Sequence, residues 1–88
     1  MLRIQRVANG AVVFTVSGRL EATNIGELSA LLSAEPRGRI CVLDLKDLVL
    51  VDGDVVRFLR ECVAGSIELR NCPPYVRAWM DGEREQQR

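Results

Sequence analysis

The sequence predicts an α/β domain: a mixed four-stranded sheet in the order β-β-α-β-α-β-α, with the helices mainly on one face. Three observations lead there. Two β-forming runs flank Asn9-Gly10, a strong hairpin signal. Helical periods then separate further apolar strands, and strand–helix–strand units give parallel neighbours with right-handed crossovers. The first and last strands alternate apolar with charged residues, so one sheet face there meets water.

Leu2-Arg3-Ile4-Gln5-Arg6-Val7 alternates as a half-buried strand does. Val12-Val13-Phe14-Thr15-Val16-Ser17 is rich in β-formers and pairs antiparallel with it. Gly18 serves the turn that follows. Asn24-Ile25-Gly26-Glu27 has capping-box spacing with Asn24 as the cap. Ile25, Leu28, Leu31 and Leu32 then form one helical face to about Ala34, and Pro36-Arg37-Gly38 stops the helix. Arg39 to Leu45 is apolar on both faces through Ile40, Cys41, Val42 and Leu43, as a central strand is.

Val55, Val56, Leu59, Cys62 and Val63 sit at helical spacing up to Gly65, a natural C-terminal stop. Ile67 to Arg70 is a short alternating strand. Pro74 suits the first position of a last helix, which shows an apolar face through Tyr75, Val76 and Trp79 and ends near Met80. One domain, residues 1–81, is expected, followed by a polar tail, 82–88. Ile4, Phe14, Leu28, Leu32, Val42, Val56, Leu59, Leu69 and Trp79 are its expected core. Because the helices cover mainly one face, part of Val13, Thr15, Cys41 and Leu43 is expected to stay exposed as an apolar patch, a surface for a homodimer or a partner.

Composition narrows the function. The 88 residues carry 12 basic and 12 acidic side chains, and 11 of the basic ones are Arg. No basic stripe exists, so nucleic acid is not an expected partner. No apolar run approaches the roughly 18 residues of a membrane span, and MLRIQRV lacks the apolar core of a signal peptide, so the cytoplasm is the default location. His is absent, and Cys41, Cys62 and Cys72 form no CxxC, so neither a zinc site, a disulfide framework nor a His-activated nucleophile is expected. Cys41 and Cys62 read as small core residues and Cys72 as a loop thiol. Nothing calls for a cofactor. The acids Asp44, Asp47, Asp52 and Asp54 lack an accompanying base or nucleophile, so no enzyme activity is expected.

The chemistry that remains lies in VLVDGDVVRFL, residues 49 to 59, where Asp52-Gly53-Asp54 stands at the start of a helix. A helix N-terminus carries about half a positive charge and four unpaired N–H groups. Carboxylates there act as caps, each contributing roughly 0.5–2 kcal/mol.

Three stretches, FTVSGRLEATNIGEL, RICVLDLKDLVLVDGDVVRFL and LRNCPPYVRAWM, resemble the STAS family, named for sulfate transporters and anti-sigma-factor antagonists. In that family an acid-containing strand leads into a DSSG-like turn that opens a helix and bears a phosphorylated Ser or Thr. Here the acid falls on Asp52, the hydroxyl positions are Gly53 and Asp54, and Val55 stands where glycine is usual. The resemblance implies a short form of the fold without the phosphorylatable hydroxyl, with Asp54 at the degenerate phosphosite. It implies a bacterial, non-catalytic protein-interaction module of the anti-sigma-factor-antagonist type, concerned with transcription regulation. Its partner would be an anti-sigma factor or a kinase-like regulator, docking at Asp52, Gly53, Asp54, Val55 and Arg57. The alternative is a small structural subunit of a larger assembly, such as a lipid-transport ABC complex.

Overall fold

The computed structural model describes residues 2–36 and 38–86, with side chains up to Gly82. β1 (Arg3–Asn9) and β2 (Ala11–Leu20) form the expected hairpin, which closes at Gly10 with φ +83°. Glycine takes this left-handed conformation without the Cβ clash that penalises other residues. α1 (Ala22–Ser33), β3 (Cys41–Asp44), β4 (Leu48–Val51), α2 (Gly53–Ala64), β5 (Glu68–Arg70) and α3 (Pro74–Gln86) follow.

The sheet is mixed and five-stranded, not four-stranded. Its order is β1-β2-β3-β5, with β4 also paired to β2. β1 is antiparallel to β2, and the other pairings are parallel. β3 runs beside Val12–Thr15 and β4 beside Gly18–Leu20. The N–H groups of Val12 and Gly18 donate to Ile40 and Asp47 carbonyls at 2.8 and 3.1 Å. Residues an even number apart along a strand address the same edge, so β3 and β4 follow one another along one side of β2. Lys46 and Asp47 make the turn between them. Gly18 is therefore not a turn after the strand. It lies inside β2 with φ +91°, next to the register shift at Gly18/Arg19 where pairing passes from β3 to β4.

All three helices contribute to one core against one sheet face. Val12, Phe14, Val16 and Leu20 of β2 and Leu43 of β3 share this core with Leu28 of α1, with Val55, Val56, Leu59 and Cys62 of α2, and with Val76 and Met80 of α3. Burying such a side chain contributes on the order of 1.5–3 kcal/mol. The core expectation holds for Phe14, Leu28, Val42, Val56 and Leu59. Ile4, Leu32 and Leu69 are half-buried at its margin. Trp79 departs from the expectation: it is 38% exposed, because Val76 and Met80 supply the buried stripe of α3 and Trp79 lies on the stripe beside it. α3 also continues past Met80 to Gln86, through part of the polar stretch read as a tail; residues 87 and 88 lie outside the described residues.

Alternation in register sorts the opposite face. Val7, Val13, Val42 and Glu68 form one row across it, and Gln5, Thr15, Asp44 and Arg70 form the next. Leu43 is fully buried under the helices, and Cys41 shares its face. The open patch therefore includes Val13 and Thr15 but not Cys41 or Leu43.

α1 begins earlier than its capping-box reading. Glu21 is the N-cap, and Asn24, three residues in, accepts the Glu21 amide on Oδ1 at 3.1 Å. α2 stops at Gly65 as expected, yet Gly65 has φ −88°. The left-handed residue is Ser66, φ +72°, and Ile67 N–H donates back to the Cys62 carbonyl at 2.9 Å.

Candidate functional site

The β4–α2 junction gathers the sequence-predicted residues and separates their roles. Asp52 is the N-cap of α2, in extended backbone with φ −112° and ψ 179°. Its Oδ1 accepts the Val55 amide at 3.0 Å, and its Oδ2 accepts the Ala22 amide, the first of α1, at 2.8 Å. One carboxylate thus serves the N-termini of two helices. These amides, Val55 first and Ala22 second, hold its pKa below the usual carboxylate range. No sequence spacing announces the Ala22 contact, because the two residues are thirty apart.

Asp54 takes no part in that capping. It is exposed in the first turn of α2, where a negative charge suits the helix dipole, and it forms an ion pair with Arg57 one turn on. Arg57 is also exposed. Val55 is fully buried in the core, so it cannot touch a partner, and its place among the docking residues is withdrawn. Gly53 is the first residue of α2 and has no positive φ. A Cβ added there would meet Trp79 Cζ2 at 3.7 Å, an ordinary contact. Gly53 is therefore not demanded by a tight turn; it is the floor over which the Trp79 indole lies.

That indole leads to residues the sequence reading did not place at the site. Tyr75, one turn before Trp79 on α3, is 48% exposed and donates its hydroxyl to the Val49 carbonyl at 3.2 Å. Val49 and Leu50 of β4 are 69% and 45% exposed. Trp79 therefore lies against the first residue of α2, with Tyr75 one turn before it on α3 and the exposed pair Asp54 and Arg57 on α2 itself. The i,i+4 spacing of Tyr75 and Trp79 signals a stripe, but Val76 and Met80 have the same spacing and took the core. The uniform apolar run of β4 hid which of its residues point outward.

Neither Cys62 nor Cys72 is poised as a thiolate. Burial pushes Cys62 up to about 11 and raises Cys72 as well, which disfavours the thiolate that a nucleophile requires. Among the described residues no group of three His, Cys, Asp or Glu side chains is placed to hold a metal ion, and no helix is long and apolar enough to cross a membrane.

This arrangement of helices over one face of a mixed sheet matches a known architecture. Among solved structures the chain is similar to an uncharacterized DUF3478-family protein of Shewanella loihica PV-4 with a SpoIIAA-like fold. The TM-score is 0.52 at 13% identity, over 77% of this chain and 61% of that one. The chain has the SpoIIAA-like, STAS-type fold, and it spans less than two-thirds of the length of that relative. No protein-family model and no curated protein sequence matches it.

Proposed function

We propose that the protein is a non-catalytic interaction module of the cytoplasm, of the anti-sigma-factor-antagonist type, whose docking surface is the start of α2 together with Tyr75 and Trp79. The observation that carries this reading is the partly exposed Trp79 indole against Gly53 at the first turn of α2, with the exposed Tyr75 one turn before it on α3. Aromatic residues beside a charged rim are the composition of interface hot spots. The partner is an anti-sigma factor or a kinase-like regulator.

Asp54 gives this surface a fixed charge. A phosphoserine carries about −1.5 to −2 charges and is removable; an aspartate carries one and is not. Docking is therefore constitutive, not governed by a kinase at this turn.

The test is capture of partners from native cell extract by the immobilised protein, followed by affinity measurement on the partner identified. Asp54→Ala and Trp79→Ser should each weaken binding while the thermal transition stays cooperative. Binding unchanged by both variants would refute the surface. Recovery of transporter subunits would instead favour the structural-subunit role.

A further inference from the structure

α2 has two flanks. α3 lies along one of them, where Arg60 and Val63 line a cleft with Arg77 and Met80. The other flank faces α1 across an open groove of about 500 Å³. Ile25 and Leu32 of α1, Phe58 of α2 and Ile67 just beyond it give the groove its apolar lining, and all four are half-buried. Each packs against the core and still shows a side to solvent.

One end of this groove is electronegative. Both helices begin at Asp52, which accepts an amide from each. Their C-termini therefore lie toward the other end, where Leu32 and Ile67 line the groove, and each carries about half a negative charge. Neither helix has a basic residue in its last turn. Among the described residues lining the groove, the one charged side chain is Glu61, an acid in the last turn of α2. Nearby cations are engaged elsewhere: Arg6 and Arg39 attend Glu35, and Arg57 pairs with Asp54.

We infer that the α1–α2 groove receives an amphipathic helix of a protein partner, with Lys or Arg at the border of its apolar face. Small ligands are held in pockets that enclose most of their surface, whereas this groove is open to solvent. An amphipathic helix suits an open apolar groove, laying into it the side chains of one face. Ile25, Leu32, Phe58 and Ile67 supply the apolar contact. Glu61 and the two helix C-termini supply the attraction for a cation, and an acidic helix would bring like charge to the same place. The groove lies on the flank of α2 away from α3 and Trp79, so it is a second surface and does not depend on the docking surface at the α2 start.

The probe is a synthetic amphipathic peptide helix with Leu along one face and Lys at its borders, set against a twin with Glu in place of Lys. Binding to the full chain is followed by backbone amide shifts in nuclear magnetic resonance. The Lys peptide should bind roughly fivefold more tightly than the Glu peptide and shift the amides of Ile25, Leu32 and Phe58. Glu61→Lys, at an exposed position that does not threaten the fold, should reverse the preference. Asp47→Lys makes the same change of net charge in the β3–β4 turn and should leave the preference as it is. Phe58→Ser should weaken both peptides, with circular dichroism to check that the variant is folded. A Lys peptide that fails to bind at millimolar concentration would overturn the inference. So would equal responses to Glu61→Lys and Asp47→Lys, or a folded Phe58→Ser that binds as the wild type does. Shifts confined to Gly53 and Trp79 would also overturn it, by placing the peptide on the other surface, and would leave the proposed function standing.

Discussion

The Asp52 carboxylate accepts the Ala22 amide at 2.8 Å, across thirty residues of chain, while its other oxygen caps its own helix at Val55. Removing it takes a partner from both helices. Asp52→Ala should cost about 2 kcal/mol, a cap plus one further hydrogen bond. Asp52→Asn should also destabilise, because an amide offers one oxygen where two acceptors are needed and turns an N–H donor toward one of the backbone amides. Thermal melting distinguishes these from Asp54→Ala, for which a loss under about 1 kcal/mol is expected from an exposed ion pair.

Acid should weaken the same contact. Asp52 has a folded-state pKa below its ordinary value. Its stabilising contribution is therefore complete above the unfolded carboxylate pKa and is lost as pH falls from there through the folded value. Glu35, held low by its hydrogen bonds from Arg6, titrates in the same sense. Melting temperature against pH should fall on the acid side for the wild type. The Asp52→Asn curve should be flatter there, and parallel curves would show that the carboxylate is not the group responsible.

Leu59 and Trp79 separate core from surface. Leu59→Ala should cost about 2–5 kcal/mol, whereas Trp79→Ser should cost less, since the indole is partly in water and Val76 and Met80 hold α3 to the core. Denaturant unfolding of the two variants gives the comparison. A Trp79 loss equal to that of Leu59 would place the indole in the stability core after all.

The contrast between these two residues also marks what the sequence could convey. The periodicity of Val55, Val56, Leu59 and Cys62 located α2 and its buried face, because polar residues interrupt it regularly. On α3, Tyr75 with Trp79 and Val76 with Met80 form two apolar stripes side by side, and local pattern does not choose between them. β4 was lost for a related reason: Leu48 to Val51 is uniformly apolar and follows β3 after a short turn, so nothing in it marks a separate strand. Asp52 and Asp54 both suit a helix start by composition. Only the fold, by bringing Ala22 beside Asp52, shows which acid caps and which faces outward.

Ser66 carries the left-handed conformation at the end of α2, although the glycine stands one position earlier. A residue with a Cβ pays roughly 1–2 kcal/mol there, partly offset on substitution by the greater chain entropy of glycine. Ser66→Gly should therefore raise stability by about 0.5–1 kcal/mol. Differential scanning calorimetry checks the sign; a lower melting temperature would mean that the Ser66 side chain contributes a contact of its own.

The bridge from Asp52 to Ala22 also makes one amide a reporter on a distant segment. Amides exchange with solvent through openings that differ from one part of a protein to another. Ala22 belongs to α1, yet its acceptor belongs to the first turn of α2. Any fluctuation that lifts the start of α2 frees the Ala22 proton together with that of Val55, so the two should exchange with deuterium at a common rate. Substituting Asp52 with Ala should release both. A resonance in one helix thus times the opening of another.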